Sequence, residues 1–135
     1  MAKIDELAVG QNASYERTVT EDDIARFAEL SGDDNPVHLD EDFAAGTLFK
    51  GRIAHGMLSA AFISTTVGTK LPGYGSIYVG QTLRFRAPVR IGDTVVATAT
   101  VKAVNRERRR VTMETVCRVG ETVVLDGEAE LMVSE

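Results

Sequence analysis

The sequence predicts an α+β fold in which a curled antiparallel sheet wraps around one long central helix. Three observations carry that expectation. The run from Met57 to Gly68 reads as a helix but has no charged residue on any side, so it should be buried all round. From Ile77 onward the apolar residues recur at every second position, which is the period of strands. Short turn signals separate these later runs, and short connections join neighbouring strands antiparallel. A sheet needs a cover for its apolar face and the helix needs a wrapper. Curling the one around the other satisfies both.

The elements follow in order. Thr20 has the chemistry of an N-cap, and Glu21, Asp22 and Asp23 suit the positive end of a helix dipole. Val19 and Ile24 stand where a hydrophobic staple would place them. Ile24, Phe27, Ala28 and Leu30 form a narrow apolar face, and Gly32 can close the helix. Pro36 then removes a backbone donor and pushes Asn35 out of the helical region, so residues 31–38 should form an ordered turn. A short helix is expected over about Asp40 to Ala45, and Pro72-Gly73 ends the helical half. Four long strands are expected. Their apolar positions are Leu83, Phe85, Ala87 and Val89; Val95, Ala97, Ala99 and Val101; Val111, Met113, Thr115 and Cys117; and Val123, Leu125, Gly127, Ala129 and Leu131. Turn signals fall at Ile91-Gly92-Asp93, around Asn105 and at Gly120.

The totals narrow the class of protein. A chain of 135 residues suits one domain over residues 1–135. With 44% hydrophobic and 26% charged residues, it has enough apolar material for a core and no signature of disorder. A net charge of -5 disfavours nucleic acid as a partner. The single cysteine, Cys117, fits a reducing compartment. The start, Met1-Ala2-Lys3-Ile4-Asp5-Glu6, has no apolar run of a signal peptide. The longest uncharged stretch, Ile53 to Thr69, is short for a bilayer span and diluted by Ser, Thr and Gly. The expectation is a soluble, cytoplasmic protein with no membrane partner.

Asp33 and His38 are the leading functional candidates. An acid and an imidazole lie close in the chain, with Asn35-Pro36 between them to stiffen the turn. A rigid turn can aim both side chains at one point, and such a pair can move protons at neutral pH. The plainer alternative is that Asp33 caps the turn and His38 is an incidental surface residue. A metal site is the rival chemistry, given Asp34, Asp40, Glu41 and Asp42 nearby. The calcium-loop spacing fails, and there is neither a second histidine at zinc spacing nor a cysteine pair, so no metal is expected. The three acids after Leu39 read better as charges at the start of the short helix.

His55-Gly56 begins the uncharged helix. Helix N-termini carry unpaired N–H groups at the positive end of the dipole, and glycine lets a ligand come close. Gly56 is therefore a candidate oxyanion donor, unless it only lets the chain enter a crowded core. His55 reads first as a structural hydrogen-bonder near the helix start, with a catalytic role as the weaker alternative. The segment Gly73 to Gly80 lacks dinucleotide-binding spacing and leads into a strand, so a nucleotide site is rejected. Arg106, Arg108, Arg109 and Arg110 fall at a hairpin and read first as a solvated turn, with anionic phosphates as a secondary possibility. Arg84 and Arg86 are comparable candidates, and Cys117 reads as a small core residue.

Three segments carry a family resemblance: Ser31-Gly32-Asp33-Asp34-Asn35-Pro36-Val37-His38-Leu39-Asp40, Ile53-Ala54-His55-Gly56-Met57-Leu58, and Gly75 to Phe85. Together, and in this order, they resemble the (R)-specific enoyl-CoA hydratases of the MaoC-like, or hydratase 2, group. The length is similar to the short bacterial form that feeds polyhydroxyalkanoate synthesis. The resemblance implies a hot-dog fold and a homodimer with the site near the subunit interface. It implies Asp33 and His38 as the catalytic pair and Gly56 as the oxyanion donor. It implies an acyl-CoA thioester as substrate, with coenzyme A entering only as part of it and no separate cofactor. Met57, Ala60, Ala61 and Ser64 on the helix flank are expected to wall the acyl tunnel, and Arg84 or Arg86 to meet the CoA phosphates. Asp34 stands where related sequences often carry an apolar or aromatic residue. A dehydratase of the same fold acting on acyl-carrier-protein substrates is the nearest rival, and a non-catalytic acyl-CoA-binding module is another. A hot-dog thioesterase would want a carboxylate on the central helix, and the run from Gly56 to Thr69 has none.

Overall fold

The computed structural model describes residues 2–134. A short 3-10 turn at Ile4–Glu6 is followed by β1 (Asn12–Thr18), α1 (Glu21–Ser31), α2 (Pro36–Leu39), α3 (Glu41–Ala45), α4 (Gly56–Thr69), β2 (Ile77–Gln81), β3 (Arg84–Phe85), β4 (Thr94–Asn105), β5 (Arg110–Val119) and β6 (Thr122–Met132). The strands form one six-stranded antiparallel sheet in the order β1-β4-β5-β6-β2, with β3 also paired to β6. The sheet curls over α4, as expected.

α1 forms as its sequence dictates. The Thr20 hydroxyl accepts from the Asp23 N–H, and the Asp23 carboxylate accepts from the Thr20 N–H, a reciprocal capping box. Arg17 clamps the same carboxylate with two N–H groups at 3.0 and 2.6 Å, and this hydrogen bonding holds the Asp23 carboxyl below its ordinary value. Val19 and Ile24 are buried together. Gly32 ends the helix with φ 81°, a left-handed conformation that glycine adopts without strain. Leu30, expected on the inner face, is instead 87% exposed.

The core has two lobes that α4 joins. Leu58, Phe62 and Ile63 pack with Val19, Ile24, Val95, Ala97 and Leu125. Val67 packs with Leu7, Val101, Val111, Met113 and Leu131. The expectation that α4 is enclosed on every side needs correction. The sheet covers the face of Leu58, Ser59, Phe62, Ile63, Thr66 and Val67, while Met57, Ala61 and Ser64 stay exposed. One curled layer reaches around only part of a helix.

The strand pattern also departs from the sequence reading. β1 was not foreseen, because only Ala13 and Tyr15 turn inward, and only to a half-buried degree. It pairs with β4 in an antiparallel ladder from Asn12–Thr100 to Thr18–Thr94, along which two hydroxyl pairs also meet, Ser14 with Thr98 at 2.8 Å and Thr18 with Thr94 at 2.7 Å. The run from Leu83 to Val89 is not a long strand. Only Arg84–Phe85 pairs regularly, after which the N–H groups of Arg86 and Ala87 both reach the Val124 carbonyl and Pro88 offers no donor. The register shifts between Cys117 and Arg118. Past that bulge, the alternation in β6 slips, and Val124 is buried next to Leu125 while Val123 is only half-buried.

No helix among the described residues is long and apolar enough to cross a membrane. Where β2 passes into β3, the backbone crosses β6 at Gly127. A Cβ there would lie 1.8 Å from the Thr82 carbonyl oxygen. Gly127→Ala is expected to destabilise the protein by about 2 kcal/mol or more through this overlap, read as a lower midpoint in urea unfolding.

Candidate active site

The turn after α1 aims Asp33 by a chain of local hydrogen bonds. The Ser31 hydroxyl donates to the Phe27 carbonyl and accepts from the Asp33 N–H. An Asp33 carboxylate oxygen accepts from the Asn35 N–H at 3.3 Å, and the Asn35 side-chain oxygen accepts from the Val37 N–H at 3.1 Å. Asn35 thus caps α2, with Pro36 in its first turn, where the missing N–H costs nothing. Sequence reasoning saw only a turn here. This single helical turn carries His38 inward, where it is 8% exposed.

A second segment, Arg52–His55, holds that turn in place. The Ile53 N–H donates to the Val37 carbonyl, and His38 Nδ1 meets the Ile53 carbonyl at 2.8 Å. Arg52 Nε donates to the His38 carbonyl at 2.8 Å, and its Nη1 donates to Glu21 of α1 at 2.8 Å. His55 Nε2 meets the Asp33 carbonyl at 2.9 Å. Carbonyl oxygens only accept, so both histidines carry their proton on these nitrogens when neutral. His38 therefore keeps Nε2 and its lone pair free for chemistry.

α4 starts beside this pair. The N–H groups of its first turn have no helical acceptor and stand at the positive end of the dipole. Gly56 is the first of them. Asp33, His38 and Gly56 all line one cavity of about 440 Å³, whose other walls include Phe49, Ser59, Phe85, Val124 and Leu125. A Cβ on Gly56 would lie 2.5 Å from the Phe85 ring. The glycine admits a crowded neighbour, and it opens the helix at the wall of the cavity.

The MaoC like domain family matches residues 6–123. The chain belongs to that family. It is 56% identical over 129 residues to the (R)-specific enoyl-CoA hydratase of Rhodospirillum rubrum, covering 96% of this chain and 90% of that one. Its structure is similar to the unliganded (R)-hydratase of Pseudomonas aeruginosa, with a TM-score of 0.92 and 49% identity over 98% of this chain and 86% of that one. It is also similar to the (R)-hydratase from A. caviae involved in PHA biosynthesis, with a TM-score of 0.90 and 42% identity over 94% and 97% of the two chains. The sheet around α4 is thus the hot-dog fold.

This MaoC-like chain brings most of its expected site residues together. Met57 lines the cavity of the Asp33–His38 pair and also a second, more open groove bounded by Ala60, Ala61, Ser64, Val79 and Leu83. Arg84 lies exposed on β3 opposite Asp126 and lines neither space. Arg86 lines the first cavity and is ion-paired to Asp126 at 3.2 Å. Cys117 is a buried core residue whose S–H donates to the Ser59 carbonyl, and burial pushes the thiol up to about 12.

The fold also supplies the second histidine that the spacing argument against zinc did not find. One carboxylate oxygen of Asp33 and one ring nitrogen from each of His38 and His55 lie within 4.8 Å of one another. The two rings, however, stack face to face, with centroids 3.8 Å apart and planes at 27°. An ion lies in the plane of each imidazole that holds it, so near-parallel rings aim their lone pairs side by side rather than at one point. Both could hold the same ion only if one ring left the stack. The arrangement suits proton handling better than metal binding.

Burial pushes the His38 imidazole below its ordinary value; its hydrogen bond to Ile53 pulls upward, the neighbouring His55 pushes down again, and Asp33 pulls upward. The native ring thus prefers to stay neutral, while in the unfolded chain it takes up a proton near pH 6.5. His38 therefore contributes stability that is complete above about pH 6.5 and lost as the pH falls toward the lower native value. Urea unfolding between pH 7.5 and 5 is expected to show a smaller loss of stability in His38→Gln than in the wild type.

Proposed function

We propose that the protein is an (R)-specific enoyl-CoA hydratase that adds water reversibly and syn to a trans-2-enoyl-CoA, giving the (R)-3-hydroxyacyl-CoA. The observation that carries this reading is the single cavity shared by Asp33, His38 and the start of α4 at Gly56. The high identity to a relative named as an (R)-specific enoyl-CoA hydratase supports both the reaction and CoA as the carrier.

In the proposed reaction one water is held between the Asp33 carboxylate and His38 Nε2. As its oxygen bonds to C3, a proton passes to Asp33. Negative charge grows on the thioester oxygen, where the Gly56 N–H and the α4 dipole stabilise it; one such donor is worth about 3 kcal/mol of barrier. The proton taken up is relayed through His38 to C2 on the same face, which returns both groups to their starting states. The thioester itself activates the double bond, so no further cofactor is invoked and coenzyme A takes part only as the substrate's carrier.

The acyl chain is proposed to run past Met57 into the groove beside Ala60 and Ser64. A second copy of the chain closing that groove is supported by the exposed stripe on α4 and by the apolar edge strand β2, where Ile77 and Val79 are exposed. The protein is accordingly proposed to be a cytoplasmic homodimer. Arg86, and more remotely Arg84, are the basic groups proposed to meet the CoA phosphates. Likeness to the A. caviae hydratase supports a role in supplying monomers for polyhydroxyalkanoate synthesis.

Loss of enoyl absorbance with crotonyl-CoA tests the activity. Asp33→Asn and His38→Gln are each expected to lower kcat on the order of 100-fold or more, and chiral analysis should find only the (R) product. Near wild-type rates in both variants would sink the assignment. Sedimentation tests the assembly: the wild type is expected as a dimer at micromolar concentration, and Ala61→Arg as a monomer. A monomeric wild type would rule the dimer out.

A further inference from the structure

The reading above assigns His55 no part in the reaction. We propose that His55 is a positioning residue for the Asp33–His38 pair: its Nε2–H fixes the Asp33 main chain and its ring holds the His38 imidazole flat. The inference rests on the proposed roles of Asp33 and His38.

Three observations converge on His55. Its Nε2 lies 2.9 Å from the Asp33 carbonyl, a link that spans 22 positions of sequence. Its ring stacks on His38 at 3.8 Å between centroids and packs against Phe27 at 4.9 Å in a tilted contact. It is only 2% exposed, and its Nδ1 is buried with no hydrogen-bond partner among the described residues. That last point weighs toward a positioning role over a purely stabilising one. With Nε2 protonated toward Asp33, Nδ1 is an acceptor left without a donor, which weakens the fold. A phenylalanine would fill the same slot between Phe27 and His38 and bury no orphan. What the histidine adds that phenylalanine lacks is the donor to Asp33, together with a buried acceptor that has no partner among the described residues.

The consequence for the pair is geometric. Asp33 is on the exposed side of the turn, and its carboxylate direction follows its main chain. Tying the carbonyl to a buried ring removes that freedom. His38 already has Nδ1 tied to Ile53, which leaves rotation about its ring plane as the remaining looseness, and the His55 face limits it. The groups around His38 are few. Asp33 comes from the turn and His55 from the segment before α4. Arg52 reaches the His38 carbonyl while paired to Glu21 of α1, and its N–H donates to Glu41 of α3. Arg86 lines the cavity, paired to Asp126 of β6. Of these, only His55 lies against the face of the ring. Replacing it with a polar, flexible side chain should ease protonation of His38.

Two variants separate the two contacts. His55→Phe keeps a ring against His38 and removes the donor. His55→Gln keeps an N–H able to reach Asp33 and removes the ring. His55→Phe is expected to fold with an unchanged or higher Tm, and to lose about 10- to 100-fold in kcat on crotonyl-CoA with KM changed less than about threefold. His55→Gln is expected to keep more of its kcat, while His38, followed by its ring-proton resonance, titrates about half a pH unit higher or more. The acid limb of kcat/KM should move with it. A residue that merely packed would change Tm and leave these readouts alone. Asp33→Asn and His38→Gln serve as controls for the underlying reading. If they are inactive while a folded His55→Phe keeps its kcat and His38 titrates unchanged in His55→Gln, His55 positions nothing and this inference fails. If the two controls remain active, it is the assignment of the pair that fails. Should His55→Phe not fold, the resonance shift in His55→Gln alone decides.

Discussion

The site depends on one short antiparallel meeting of two loops. Residues Arg52–His55 run beside the turn from Asp33 to His38, and four hydrogen bonds join them: Ile53 to Val37, His38 to Ile53, Arg52 to His38 and His55 to Asp33. Neither loop belongs to the sheet. Each is anchored from elsewhere, the first by the caps of α1 and α2 and the second by Arg90. That guanidinium donates to the carbonyls of Phe49 and Arg52, and the Ala54 N–H donates to the Val89 carbonyl. Buried main-chain groups must find partners; here the Ile53 N–H finds the Val37 carbonyl, and the carbonyls of Ile53, His38 and Asp33 take side-chain donors across the site. The same bonds that satisfy the backbone therefore set the tautomer and direction of both histidines.

Local features of the site could be read from the chain, and those built from distant contacts could not. Asp33, Asn35, Pro36 and His38 lie within one turn, so their residue types alone foretell a rigid corner able to aim an acid and an imidazole at one point. Thr20, Asp23 and Gly32 foretell both ends of α1 for the same reason. The bond from His55 to Asp33 has no such signal, because nothing in the spacing says that two loops will meet. Phe85, Val124 and Leu125 were likewise not recognised as cavity walls, since the first stands on a two-residue strand and the others follow a bulge.

The sheet shows the same division. The runs around Val95 to Val101 and Val111 to Cys117 alternate cleanly and are buried as expected. β1 carries too few apolar residues to announce itself, because the backbone ladder to β4 that holds it leaves no mark on residue type. The helix α4 misled in the opposite way. Its composition is uniformly apolar or small, and composition does not distinguish a side covered by the chain's own sheet from one left open.

The slip in phase between Cys117 and Arg118 has a consequence for how such a cavity can change over time. Because of it, two neighbouring residues of β6, Val124 and Leu125, both face the hollow instead of taking opposite sides. That slip lies beside the hairpin turn at Gly120, which is not among the residues lining the cavity. Because side chains along a strand alternate with a period of two, moving that slip by one residue would exchange which side chains form the floor, on strands that carry neither Asp33 nor His38. Diversification of substrate size can thus proceed at a remote bend, leaving the chemistry inherited intact.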